Sequence, residues 1–77
     1  MIDTKTLTPE HIGRYVRYEP TGEIGRIRTW KGNLIAVVYH CNDEWDRYQE
    51  FTAAQTHASS LEWMPAGYVP PGKEAGV

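Results

Sequence analysis

Between residues 13 and 39 the chain alternates three apolar-rich segments with two short polar breaks, each of which contains a glycine. Residues 13–18 (Gly-Arg-Tyr-Val-Arg-Tyr), 24–30 (Ile-Gly-Arg-Ile-Arg-Thr-Trp) and 34–39 (Leu-Ile-Ala-Val-Val-Tyr) carry the β-branched and aromatic enrichment of strands. The breaks Pro20-Thr21-Gly22 and Lys31-Gly32-Asn33 carry turn chemistry, so the whole stretch predicts a β-meander. Successive side chains of a strand point to opposite faces. In the first segment Arg14, Val16 and Tyr18 therefore share one face and Tyr15 and Arg17 the other, with Val16 directed to the core. In the second, Gly25, Ile27 and Thr29 share a face opposite Ile24, Arg26, Arg28 and Trp30, which sends Ile27 inward and the two arginines outward. The third is apolar on both faces, the pattern of a central strand covered on each side.

On either side of the meander the pattern is shorter. Thr8 can cap a helical turn that Pro9 begins and Gly13 ends, giving the first strand a short helical prop. After the third strand, residues 41–46 (Cys-Asn-Asp-Glu-Trp-Asp) are polar and turn-like. Residues 47–52 alternate as a fourth strand, with Tyr48 beside Glu50 and Gln49 beside Phe51, and residues 53–56 fit either its continuation or a helical turn. Residues 57–60 fit a short turn or a single 3-10 turn. A last short strand follows over residues 61–64, with Leu61 and Trp63 on one face. The expectation is an all-β domain over residues 1–64, a small five-stranded barrel, followed over residues 65–77 by a flexible tail rich in proline and glycine. No internal repeat is visible.

A chain of 77 residues has room for one small domain, and its three tryptophans and five tyrosines supply much of the apolar surface so small a core needs. A single cysteine, Cys41, makes no internal disulfide. There is also no apolar run of signal-peptide or membrane length, which together predicts a soluble cytoplasmic protein with no membrane contact. The net charge of −2 is unevenly spread. Arg14, Arg17, Arg26, Arg28 and Lys31 fall in the first two strands and their turn, whereas Asp43, Glu44, Asp46 and Glu50 crowd one segment relieved only by Arg47. A weak overall charge argues against strong nonspecific DNA binding but leaves room for a local basic patch on phosphate.

The order of elements, with the Pro-Thr-Gly turn, the Gly25-Arg26-Ile27 strand, the Lys-Gly-Asn turn, the Val37-Val38-Tyr39 strand, a long loop and a turn before a final short strand, resembles the SH3-like small barrels, including KOW and Tudor-type modules. Residues 14–27, together with Val-Val-Tyr and the acidic, tryptophan-bearing loop after it, resemble small uncharacterised proteins of bacteria, phages and integrated elements. The resemblance implies a fold that hosts RNA-, DNA- and peptide-binding proteins as well as purely structural ones, and a non-enzymatic binding or accessory module. The Ala-Leu-Tyr-Asp-Tyr opening of SH3 domains proper is missing, so proline-rich peptides are not an expected ligand.

Three surfaces are candidates for binding an unknown protein or nucleic acid. Arg26, Arg28 and Lys31, with Trp30 to stack on an unpaired base and Arg14 and Arg17 to extend the patch, form a nucleic-acid candidate whose contacts would be mainly to the backbone and salt-sensitive. Its plain counterpart is a solvated strand face whose arginines pair with Glu19, Glu23 or the acidic loop. Tyr18, Tyr39, Trp45 and Tyr48, with Asp43 or Asp46 adding negative charge, suit an aromatic cage for a cationic side chain, the mode the Tudor resemblance implies. The counterpart is that Tyr39 and Tyr48 pack across strands and Trp45 pins the loop. Trp45 amid its acidic loop could also anchor a protein partner, and an exposed strand edge offers a weak homodimer. No catalytic residue, metal site or cofactor is expected. His40, Cys41, Asp43 and Glu44 lack zinc-type spacing, neighbouring strand residues point apart, and the acidic segment lacks the central glycine of a calcium loop.

Overall fold

A computed structural model describes residues 1–42 and 44–69. Five strands, β1 (Tyr15–Tyr18), β2 (Glu23–Lys31), β3 (Leu34–Val38), β4 (Ala54–His57) and β5 (Leu61–Trp63), form one antiparallel sheet in the order β4-β3-β2-β1-β5. Four 3-10 segments punctuate it: η1 (Thr4–Thr6), η2 (Pro9–His11), η3 (Trp45–Glu50) and η4 (Ala58–Ser60). The domain is all-β, with β4 and β5 as the edges of the sheet and η4 joining them.

The meander forms where the sequence predicts it. Gly22, at φ +78°, closes the β1–β2 connection, its N–H donating to the Tyr18 carbonyl at 2.7 Å. Gly32, at φ +60°, opens the two-residue β2–β3 turn at the position where a hairpin needs a residue free of a Cβ. At the amino-terminal side, η2 begins at Pro9, and the Thr8 N–H donates to His11 Nδ1 at 3.0 Å.

The sheet is packed on both faces. Val16, Ile27, Ile35, Val37 and Leu61, all fully buried, gather with Ile2, Leu7 and Ala58 in the larger cluster. Val38, Cys41 and Tyr48 make a smaller cluster on the other face, completed by Trp45, Phe51 and Ala53. β3 sits between β2 and β4 and feeds both clusters, which is why its sequence is apolar throughout. Gly25 is required where β3 crosses β2: a Cβ there would lie 2.5 Å from Val37 Cγ1 and 2.7 Å from the Val38 carbonyl oxygen.

Two expectations are corrected. Residues 47–52 are not a strand; they belong largely to η3, and β4 comes instead from residues 54–57, taking in most of the ambiguous segment 53–56 and His57 from the expected turn. The physical reason is a period of three. Trp45, Tyr48 and Phe51, spaced by three along η3 and its C-cap with a kink at Arg47, cover Val38 and Cys41. Arg47 meanwhile reaches Glu44 and Glu50, three residues away in each direction, at 3.5 Å and 2.7 Å. An extended strand would hold those carboxylates too far off. The second correction concerns Trp30, expected beside Arg26 and Arg28. The register with β3 shifts between Ile27 and Thr29, so Arg28 is the extra residue of a bulge and Trp30 pairs with Ile35. Trp30 therefore packs on the larger cluster, on the face of Ile27.

The expected tail from residue 65 is described as far as Val69. In that part the Tyr68 N–H donates to the Pro65 carbonyl at 3.1 Å and the Tyr68 ring meets Tyr15 edge-on, with centroids 5.4 Å apart. Residues 70–77 lie outside the described residues.

Candidate binding surfaces

The cations of the first two strands do not form a continuous stripe. Arg26 faces away from the larger cluster as expected, but it is half-buried and its donors are used within the chain. Nε donates to the Gly13 carbonyl at 2.8 Å and Nη1 to the Trp45 carbonyl at 2.6 Å. Its Cζ lies 4.9 Å from the Tyr15 ring centroid and 4.3 Å from that of Tyr48. The guanidinium thus clasps η3 to the start of β1. Gly13, at φ +92°, leaves room for the clasp, since a Cβ there would stand 3.2 Å from both Arg26 Nη2 and Tyr48 Oη.

Arg17 is ion-paired with Glu62, its register partner on β5. Arg14 lies with Cζ 5.1 Å from the Trp63 ring centroid, and the His11 ring stands 5.2 Å from the same indole. Of the carboxylates considered as partners on a plain solvated face, Glu19 meets the amino-terminal group at 3.5 Å, Glu23 meets His40 at 3.4 Å, and Glu44 and Glu50 hold Arg47. The hydrogen bond and charge of Arg47 keep the Glu50 carboxyl below its ordinary value.

What stays open lies at the far end of β2. Directly opposed residues of antiparallel strands share a face, so the register aligns Lys31, Leu34 and His57 in one row across β2, β3 and β4, and Thr29, Ala36 and Gln55 in the next. None of these six is acidic, and all but Ala36 are exposed. Arg28 stands beside them at the bulge, exposed, with Nη1 3.4 Å from the Phe51 carbonyl. A pocket of about 480 Å³ at the β2–β3 turn is lined by Lys5, Asn33 and His57 together with Asp3. Among the described residues, no carboxylate is ion-paired with Lys5, Arg28 or Lys31.

The four aromatics considered as one cage fall into two groups. Tyr18 and Tyr39 meet edge-to-face, centroids 6.3 Å apart, against the larger cluster. Trp45 meets Tyr15 at 5.7 Å and belongs with buried Tyr48 to the smaller cluster, pinning the loop to the sheet. Tyr48 lies in η3 rather than across a strand pair from Tyr39. Asp43, offered as a cage carboxylate, lies outside the described residues. Beside Tyr18 and Tyr39 the fold leaves a cleft of about 370 Å³ that is also lined by Glu23, Thr56 and Ser60 and by Gln55 and His57 of the open rows. The Tyr39 phenol donates to or accepts from Thr56 Oγ1 at 3.0 Å. Burial pushes its pKa up, the Thr56 hydrogen bond opposes the rise, and the Glu23 charge and Tyr18 add to it.

His40 and Cys41 point apart, His40 into solvent and Cys41 into the smaller cluster with 2% exposure. Among the described residues, no group of three His, Cys, Asp or Glu side chains is placed to hold a metal ion, and no helix is long and apolar enough to cross a membrane. Lys5 and His57 were not recognised as binding residues from sequence. The alignment of His57 with Lys31 depends on the β3–β4 register, and the place of Lys5 beside His57 on where the amino-terminal segment docks, and neither leaves a local pattern. No protein family, curated protein or solved structure matches the chain.

Proposed function

We propose that this chain is a non-enzymatic binding module built on an SH3-like barrel and working in the cytoplasm, and that it contacts the phosphate backbone of nucleic acid through the open end of β2. The barrel reading is supported by the order β4-β3-β2-β1-β5 and by the 3-10 turn that leads from β4 into β5. One observation carries the ligand class. Arg28 and Lys31 are exposed and have no ion pair among the described residues, and His57 ends the row of Lys31 across β3, whereas Arg17 and Arg47 are neutralised by carboxylates. Cations held on a sheet with no carboxylate partner leave their charge for an external anion. The flat strand surface offers no helix for a groove, so the contacts would position a backbone rather than read bases.

Titration of fluorescent single- and double-stranded oligonucleotides at low and moderate salt tests this, with an Arg28→Ala/Lys31→Ala double variant alongside. The expected result is salt-sensitive binding that the variant loses, because each phosphate contact removed takes about 0.7–0.9 from the slope of log affinity against log salt. Absence of binding at low salt, or equal binding by the variant, would overturn the proposal.

A further inference from the structure

The two edges of the sheet, β4 and β5, differ in what they leave open, and the phase of the hydrogen bonds shows how. Bonded and non-bonded pairs alternate along an antiparallel ladder. The Ala58 N–H donates to the Asn33 carbonyl at 2.9 Å, one step beyond the Leu34–His57 pair. Ile35–Thr56 and Val37–Ala54 are therefore the bonded pairs of β3 and β4. The N–H and carbonyl of Gln55 and the N–H of His57 point away from β3, the His57 carbonyl being the one that begins η4. Sheet edges are ordinarily blunted by a charge, a proline or a bulge. Ala54-Gln55-Thr56-His57 carries no acid, lysine, arginine or proline, and its register with β3 is unbroken. The cleft beside Tyr18 and Tyr39 is lined by all four of these residues, which leaves space along the strand. β5 is protected by comparison: it has three residues, the Leu61 N–H is already donated to the Ala58 carbonyl, and Glu62 puts a charge at its centre.

We infer that β4 is a self-association edge, on which a second copy of the chain pairs its own β4 antiparallel about a two-fold axis at Gln55. In that register the Gln55 N–H donates to the carbonyl of Gln55 of the second copy and accepts the reciprocal bond. Two residues on, the His57 N–H reaches the carbonyl of Ala53 of the second copy, so every open main-chain group of the edge gains a partner. A second copy fits better than an unrelated strand because the residue at the centre complements itself: a glutamine amide carries both donors and an acceptor. The two Gln55 side chains meet on the exposed face, and no like charges are opposed there. Arg28 and Lys31 stay outside the contact, on β2 with β3 between them and the edge. Counted along the joined sheet, the two Lys31 residues lie five strand spacings apart, about 24 Å, well beyond the reach of about 8 Å that exposed charges have at physiological salt. The pairing is isologous and uses up the edge, so it stops at two copies. Four residues bury little surface, and the dimer is accordingly weak and concentration-dependent. It does not rest on the phosphate reading.

The test is analytical ultracentrifugation of the intact protein from micromolar to millimolar chain concentration, without nucleic acid, with the amide NMR spectrum followed over the same range. The expected result is a monomer–dimer equilibrium in which the amides of Gln55 and His57, whose N–H groups gain a partner, shift with concentration more than those of Ala54 and Thr56, whose N–H groups already serve β3. Gln55→Lys replaces an exposed side chain and sets like charges opposite each other at the axis. It is expected to keep the dispersed spectrum of the folded protein and to remain monomeric throughout. Glu62→Gln, at the β5 edge, and Arg28→Ala/Lys31→Ala are expected to dimerise as the parent does, so that failure here is distinguishable from failure of the phosphate reading. The mass of one chain at every concentration, association that Gln55→Lys retains or Glu62→Gln abolishes, or shifts no larger at Gln55 and His57 than at Ala54 and Thr56 would each overturn the inference.

Discussion

Arg26 shows how a charged residue on a strand is diverted from solvent. Its stem leaves β2 on the same side as Val38, and the guanidinium then lies between two tyrosine rings while satisfying carbonyls on either side of the clasp. Lysine carries the same charge but has neither the planar surface for the rings nor the fork that serves two acceptors in different directions. Arg26→Lys is therefore expected to destabilise the protein by about 1–3 kcal/mol, read as a lowered midpoint in urea with its slope unchanged. A near-neutral change would mean that the clasp contributes nothing to folding. Tyr39 gives a second prediction at this scale. Its phenol titrates higher in the folded than in the unfolded chain, so the folded state retains the proton where the unfolded state has begun to release it. The contribution is fully present below the ordinary tyrosine value of about 10 and is lost as pH rises through the folded value. Denaturation midpoints measured from pH 8 to about 11.5 should fall above about pH 10, and Tyr39→Phe should flatten that fall. An identical alkaline decline in both proteins would contradict it.

At the scale of elements, the strands with clean alternation are those in which local pattern and tertiary environment agree. Ile27 and Val16 face the larger cluster as a period of two requires, and Ile27→Ala is expected to cost about 2–4 kcal/mol in chemical denaturation. A change below about 1 kcal/mol would mean that the assigned facing of β2 is wrong. The same reasoning fails past Arg28 because a bulge arises from pairing with β3, and nothing in Arg28-Thr29-Trp30 itself announces an extra residue. It fails again at η3 for a different reason. Within seven residues a period of two (Tyr48 with Glu50) and a period of three (Trp45, Tyr48, Phe51) fit equally well, and the spacing Glu44-Arg47-Glu50 that favours the tighter turn was present to be read. β4 lies at the other extreme. Ala54-Gln55-Thr56-His57 has little strand character of its own, and the strand exists because β3 presents an open edge to it.

At the scale of the whole molecule, the sequence showed which charges exist but not how they are spent. Eight lysines and arginines against ten acids predict a weakly acidic surface, and the crowding of cations in β1 and β2 suggests a basic stripe. Folding removes Arg26 to the clasp, Arg17 to Glu62 and Arg14 to the Trp63 ring, because each is opposed across the sheet or across a loop by a group that sequence distance conceals. It aligns His57 with Lys31 across β3 and sets Lys5 beside His57 at the β2–β3 turn, pairings that sequence distance conceals. These two kinds of arginine should therefore respond differently to the same substitution. Arg28→Ala, at an exposed bulge, should leave the urea midpoint within about 0.5 kcal/mol of the parent while lowering the salt dependence of oligonucleotide binding. Arg17→Ala, which frees Glu62 at the other edge of the sheet, should leave that salt dependence unchanged. If both substitutions reduced binding equally, the response would be to net charge alone, and the patch at the end of β2 would have no special standing as a contact surface.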